Sequence, residues 1–240
     1  MLSVFSLLPK MALLITGTSQ GIGLSLAKHY LAAGLDVIGC ARRMSPLSTD
    51  RYNHFQVDVT DPIEVADMFK DIARRKVSVD TVIHASGVTQ NSLALMTSTE
   101  TAKDIMDVNF GGVFTITREA TKRMIRRDFG RIIVLSSINV SLHNRGSSVY
   151  NASKAACNNL MKTLTSEFAA SDITFNSLAL SIVAESGMAA SLTEDALSEK
   201  QVRLDKPKLL AIEEVVHAID FLRGAAARNI SGETITFGAP

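Results

Sequence analysis

Tyr150 and Lys154 stand four residues apart in Tyr150-Asn151-Ala152-Ser153-Lys154, where a helical pattern begins whose apolar face continues through Ala155, Leu160, Met161, Leu164 and Phe168. On a helix that spacing brings the phenol and the ammonium to one face. An isolated phenol holds its proton too tightly to exchange it at neutral pH, but a neighbouring ammonium favours the phenolate. A tyrosine so placed can hand a proton to a developing alkoxide. Alone the pair is a frequent accident of helices, and a structural pairing explains it equally well. Upstream, Ser137 closes an apolar run, and its hydroxyl is suited to donate to the same substrate oxygen. The plainer reading is a serine that ends a strand. Asn109, in Val108-Asn109-Phe110-Gly111, interrupts an otherwise apolar helical stretch. A buried amide there needs partners, either a water linking the lysine to solvent or the backbone of a distorted turn.

A second constellation lies near the start. Thr16-Gly17-Thr18-Ser19-Gln20-Gly21-Ile22-Gly23 follows a strand-like run and opens an amphipathic helix. In that order, Gly17 permits a tight turn, Gly21 lets the backbone approach a pyrophosphate, and Gly23 lets helix and strand pack closely. The helix start then offers unpaired N–H groups to phosphate, with Ser19, Gln20 and Ile22 on the same loop. These residues point to a dinucleotide. The next strand ends Gly39-Cys40-Ala41-Arg42-Arg43, with alanine where a carboxylate would bond a ribose 2′-OH. Two guanidinium groups suit a 2′-phosphate, so Arg42 and Arg43 favour NADP(H) over a merely solvated basic turn. Asp58 and Val59 either line the adenine, or Asp58 caps a turn.

Elements must exist to hold these residues. Short apolar runs at 12–16, 36–40, 53–57, 81–84, 131–136, 174–179 and 233–237 alternate with helical patterns at 22–33, 62–75, 101–127, 150–170 and 212–224. Runs apolar at nearly every position mark strands covered on both faces. The alternation predicts a single Rossmann-type domain over 11–240, an α/β fold with a doubly wound parallel sheet of about seven strands and helices on both faces. Asp61-Pro62-Ile63-Glu64 predicts a capping box. Between Arg42 and Tyr52 the residues Ser45-Pro46 and Ser48-Thr49 predict a turn where such folds place their second helix. Residues 1–10 are too short to span a bilayer, lack a signal-peptide pattern, and read as an extension.

The whole chain has 240 residues, 46% of them hydrophobic, and a net charge of +1, a balance that favours neither nucleic acid nor an anionic membrane as partner. Cys40 and Cys157 are far apart and in no metal-binding pattern, so they read as reduced core thiols of a cytoplasmic protein without a metal site.

The ordered set Thr16-Gly17-x-x-x-Gly21-Ile22-Gly23, Asn109, Ser137, Tyr150 and Lys154 resembles the short-chain dehydrogenases/reductases over roughly residues 11–238. The resemblance implies NAD(P)(H), an Asn–Ser–Tyr–Lys catalytic tetrad at those four positions, and nicotinamide ribose contacts by Lys154. Gly87 in His84-Ala85-Ser86-Gly87 matches the family's Asn-Asn-Ala-Gly only at the glycine, which puts a stabilising amide in doubt while leaving Ala85 and Gly87 beside the cofactor. Leu180-Ser181 replaces the usual Pro-Gly, which unsettles nicotinamide contacts at Ile182, Val183 or Ser186, and Phe237-Gly238-Ala239 departs from Asp-Gly-Gly.

Within the family the chain is similar to 3-oxoacyl-thioester reductases of fatty acid biosynthesis, most visibly at Gly87-Val88-Thr89-Gln90-Asn91-Ser92-Leu93. The resemblance implies NADPH-dependent reduction of a 3-oxoacyl thioester and an oligomer, tetramer or dimer. A basic run of Lys122, Arg123, Arg126, Arg127 and Arg131 either docks an acidic acyl carrier protein or is a solvated helix face. Residues 186–210 are expected to form a substrate lid. Two other readings stay open: reduction of a non-acyl ketone, and a nucleotide-binding scaffold that catalyses little. The scaffold is motivated by Leu180-Ser181 and the short crossover, and opposed by the intact four-residue set.

Overall fold

The computed structural model describes residues 10–184 and 209–238. Residues 1–9 of the expected extension at 1–10 and nearly all of the expected lid, Ser186 included, lie outside the described residues, while Lys10 belongs to the first strand and not to an extension. Seven strands form one parallel sheet: β1 (Lys10–Thr16), β2 (Val37–Ala41), β3 (Tyr52–Gln56), β4 (Val77–His84), β5 (Gly130–Ser137), β6 (Ile173–Leu180) and β7 (Thr234–Thr236). Their order is β3-β2-β1-β4-β5-β6-β7. The chain winds one way from β1 to β3, then crosses back and winds the other way from β4. That reversal opens a crevice at the carboxyl ends of β1 and β4, where such sheets bind ligands.

Helices cover both faces. On one side α2 (Pro62–Arg74), α4 (Gly112–Met124) and α5 (Ser148–Glu167) bury Val65, Phe69, Ile116, Met124, Cys157 and Met161 against the sheet. On the other, α1 (Gly21–Ala32) and the final helix (Ile212–Arg223) bury Leu26, Tyr30, Val215, Ile219 and Leu222. No described helix is long and apolar enough to cross a membrane.

Several local expectations are modified. The pattern at 101–127 is not one continuous helix: α3 (Thr99–Met106) passes through a π-helical turn (Asp107–Gly111) into α4, and a 3-10 turn (Ile125–Arg127) follows. The wider turn falls on Asn109, whose amide is drawn sideways into other bonds, as described below. Such bulges lodge an extra residue in a helix and recur at functional sites. The predicted capping box forms by half. Asp61 Oδ1 accepts from Ile63 N (2.7 Å) and Glu64 N (3.1 Å), but Glu64 Oε2 takes the N–H of Asp58 (2.7 Å). The N–H of Asp61 is already given to Asp58 O at 3.0 Å, so the glutamate reaches further back.

No helix joins β2 to β3. The short crossover is pinned instead by Ser45 Oγ donating to Thr18 O (3.1 Å) and Tyr52 OH donating to Thr18 Oγ1 (2.9 Å).

One surface expectation is overturned. Arg131 is 1% exposed. Its guanidinium pairs with Asp172 (3.0 Å), donates to the carbonyls of Gly130 and Asp172 (2.8 Å each), and covers the Phe129 ring. It cannot dock a partner. Lys122 and Arg123 are bound to Glu119, and Arg127 donates to Val79 O at 2.6 Å. The run lies by the amino ends of β4 and β5, the sheet edge opposite the crevice. Hydrophilic spacing could not reveal this, because a residue near a strand's start is buried or exposed according to its neighbours.

Candidate active site

Two cavities meet at the carboxyl edge and share Gly87. The first, about 150 Å³, is lined by Gly17, Ser19, Gln20, Ala41, Arg42, Arg43, Asp58 and Val59. Gly17 (φ +76°) and Gly21 (φ +58°) take the left-handed backbone that glycine adopts freely. A Cβ on Gly23 would lie 2.5 Å from Gly17 O, so only glycine permits this approach of helix to strand. The N-terminus of α1 has no capping side chain, leaving its N–H groups directed into the groove. The glycine cradle and uncapped helix end fit a dinucleotide pyrophosphate. Arg42 and Arg43 are exposed at the groove rim, and Arg43 Nη2 donates to Gln20 Oε1 at 2.6 Å. Asp58 Oδ1 accepts from Thr60 N (3.0 Å) and Thr60 Oγ1 (2.8 Å), so it caps a turn while its residue also lines the groove.

The second cavity, about 270 Å³, is lined by Ile22, Gly87, Gln90, Ser137, Tyr150, Lys154 and Leu180–Val183, among others. Lys154 is buried, and Nζ donates to Leu135 O at 2.8 Å, two residues before Ser137 on β5. Its Nζ lies 6.0 Å from the centre of the Tyr150 ring. The Tyr150 hydroxyl has no hydrogen-bond partner among the described residues. Ser137 Oγ accepts from Asn139 N at 3.2 Å, which leaves its own proton to donate.

Asn109 is fully buried behind this wall. Its Oδ1 accepts from Val88 N (2.8 Å), and Nδ2 donates to Val88 O (2.9 Å) and Ser153 Oγ (3.0 Å). The amide therefore staples the loop after β4 to the helix of Tyr150. Any side chain at Gly87 would crowd it, since a Cβ there would stand 3.1 Å from Asn109 Oδ1 and 3.6 Å from Lys154 Nζ.

The departures at 84–86 also find their explanation. Thr16 Oγ1 accepts from the N–H groups of Ala85 (3.1 Å) and Ser86 (3.0 Å) and donates to Ser86 Oγ (2.9 Å), tying β1 to β4. His84, where the family carries asparagine, pairs through Nε2 with Thr117 Oγ1 at 2.9 Å. Burial, reinforced by the charge of Lys154, pushes its pKa down to about 3, so the imidazole is neutral. Leu180 continues β6, and its carbonyl accepts from Ile138 N at 3.1 Å. Ser181 needs no left-handed backbone, so the loss of Pro-Gly leaves an ordinary path through Leu180–Val183 along the cavity wall. The residues missed from sequence are Gln90, Ser153 and Thr16, whose partners are distant side chains or main-chain groups that spacing does not reveal.

Residues 11–197 match the family model of the short chain dehydrogenases. The chain belongs to that family and is an NAD(P)-dependent oxidoreductase. It is 28% identical over 228 residues to the 3-oxoacyl-[acyl-carrier-protein] reductase FabG of Salmonella typhimurium, covering 92% of this chain and 93% of that protein. Against the same reductase of Staphylococcus aureus it is 28% identical over 233 residues, covering 92% and 94%. Among solved structures, an actinorhodin polyketide ketoreductase with NADPH superposes with a TM-score of 0.87 at 25% identity, over 95% of both chains. A 4-hydroxyisoleucine dehydrogenase complexed with NADH gives 0.85 at 24% identity, over 95% and 97%, a likeness of fold.

Proposed function

We propose that the protein reduces the ketone of a 3-oxoacyl thioester, carried by acyl carrier protein or CoA, to the secondary alcohol, with NADPH as hydride source. The observation that carries the reading is the convergence of the Tyr150 and Ser137 side chains on one cavity, with Lys154 anchored to the strand of Ser137. Tyr150 gives the proton to the carbonyl oxygen as the carbon accepts hydride, and Ser137 donates a hydrogen bond to the same oxygen. Lys154 supports the phenolate that remains and holds the nicotinamide ribose. Asn109 fixes the loop that bears Gly87. NADPH, when bound, would supply the hydride; Gly17–Gly23 would hold its pyrophosphate, and Arg42 and Arg43 would hold its 2′-phosphate. The choice of thioester is supported by the reductases the chain resembles.

The test is NADPH oxidation with acetoacetyl-CoA and an acetoacetyl carrier protein. Tyr150→Phe lowers kcat by about 10²-fold or more while cofactor affinity persists. Full turnover by Tyr150→Phe would overturn the mechanism, and turnover confined to non-acyl ketones would overturn the substrate.

A further inference from the structure

The helix that carries Tyr150 and Lys154 lacks a cap from its own chain neighbours: Ser147 stands at its N-cap position without a side-chain hydrogen bond. The acceptor comes from the loop after β4. Gln90 Oε1 accepts from the N–H groups of Val149 (2.8 Å) and Tyr150 (3.2 Å). At its other end, Nε2 donates to Thr97 Oγ1 (2.8 Å) and Ser92 O (3.1 Å). Two backbone donors at one end and a carbonyl at the other determine which end of the amide is oxygen. Gln90 is 8% exposed and lines the cavity that holds Tyr150.

We propose that Gln90 is a positioning residue, which locks the first turn of the Tyr150 helix to the loop forming the facing wall of the cavity. The same loop is stapled to that helix a second time, through Val88, Asn109 and Ser153. With both attachments made, the phenol and the wall that orients the carbonyl move as one body. A buried amide whose donors and acceptor are all satisfied rigidifies what it joins. Such rigidity matters here because a proton donor displaced by about 1 Å loses on the order of 10²-fold in rate.

The inference rests on Tyr150 as proton donor, so Tyr150→Phe is measured beside the Gln90 variants. Gln90→Leu removes the cap. Gln90→Asn keeps the amide but is one methylene too short, and carries the test where Gln90→Leu does not fold. Circular dichroism establishes that each protein is folded at the assay temperature, and NADPH affinity is titrated by fluorescence with a ketone that the wild type turns over. The expected result is a loss of about tenfold in kcat for Gln90→Leu and Gln90→Asn, with NADPH affinity within about twofold of wild type. A cap that serves stability alone lowers the melting temperature and leaves kcat unchanged, and that outcome overturns the proposal. Full turnover by Tyr150→Phe would overturn the proton-donor reading as well, whereas an inactive Tyr150→Phe beside unaltered Gln90 variants overturns this inference only.

Discussion

Arginine at the end of β2 is a matter of single charges. Arg42 and Arg43 sit on the rim of the first cavity, and Ala41 puts no carboxylate beside them. A 2′-phosphate placed there gains charge-assisted hydrogen bonds of about 1.5–3 kcal/mol each. Replacing both arginines by alanine should therefore weaken NADPH binding at least about tenfold and leave NADH binding nearly unchanged. Titrations showing the same NADPH preference in the double variant would remove the 2′-phosphate argument. His84 gives a residue-scale prediction about pH. Its folded pKa is depressed to about 3 from an ordinary 6.5. Between those values the unfolded chain takes up a proton that the native protein refuses. The stability it contributes is thus fully present above pH 6.5 and falls as pH drops, by about 1.4 kcal/mol per pH unit. Urea unfolding at pH 6.5 and pH 5 should show about 2 kcal/mol less acid loss in His84→Asn than in wild type. An identical loss in both would mean that the imidazole is not held neutral.

At the scale of elements, the interruption between α3 and α4 departs furthest from a simple periodic reading. Apolar spacing over 101–127 predicts one helix, and the local sign of a distorted turn within it is Asn109, a poor helix former in an apolar stretch. The turn arises because Asn109 satisfies its amide on Val88 and Ser153 rather than in water. The start of α2 shows the converse, a local signal that the tertiary structure respects. Asp61, with Pro62 after it, caps two N–H groups without help from any distant residue. Asp61→Ala should cost about 1 kcal/mol of stability and leave kcat unaltered. Chemical denaturation finding no loss would show that Glu64 or water replaces the cap.

At the scale of the whole molecule, the site exists because the chain reverses its winding between β3 and β4. That reversal brings Gly17, Gly87, Ser137, Tyr150 and Leu180 to one edge. The opposite edge is closed by Arg131 with Asp172, Phe129 and two carbonyls. Arg131→Ala takes a buried guanidinium away from the partly exposed Asp172 and from two carbonyls, and should destabilise the fold by about 2 kcal/mol. Its catalytic constants, measured on the folded fraction, should match wild type. A variant as stable as the parent would mean that solvent compensates Asp172 fully.

The order of strands and helices, the glycine loop, and the tyrosine–lysine pair were all legible along the chain, because each depends on neighbours within a turn or two. Periodicity of two or of 3.6 residues and a φ open only to glycine are local properties. Contacts across the sheet are different. Lys154 reaches the strand of Ser137, Asn109 reaches Val88, and Gln90 caps a helix that begins 58 residues after it. None of these leaves a sequence pattern, since each partner is chosen by where the folded backbone delivers an unsatisfied donor or acceptor. The same rule corrected Arg131, which looks like a surface charge in the sequence and becomes a buried one once β5 is paired on both sides. The sequence by itself thus determined the kind of fold and the residues proposed here to do the chemistry. Only the tertiary structure decided which side chains hold them in place, because hydrogen bonds buried between distant segments are set by proximity in space.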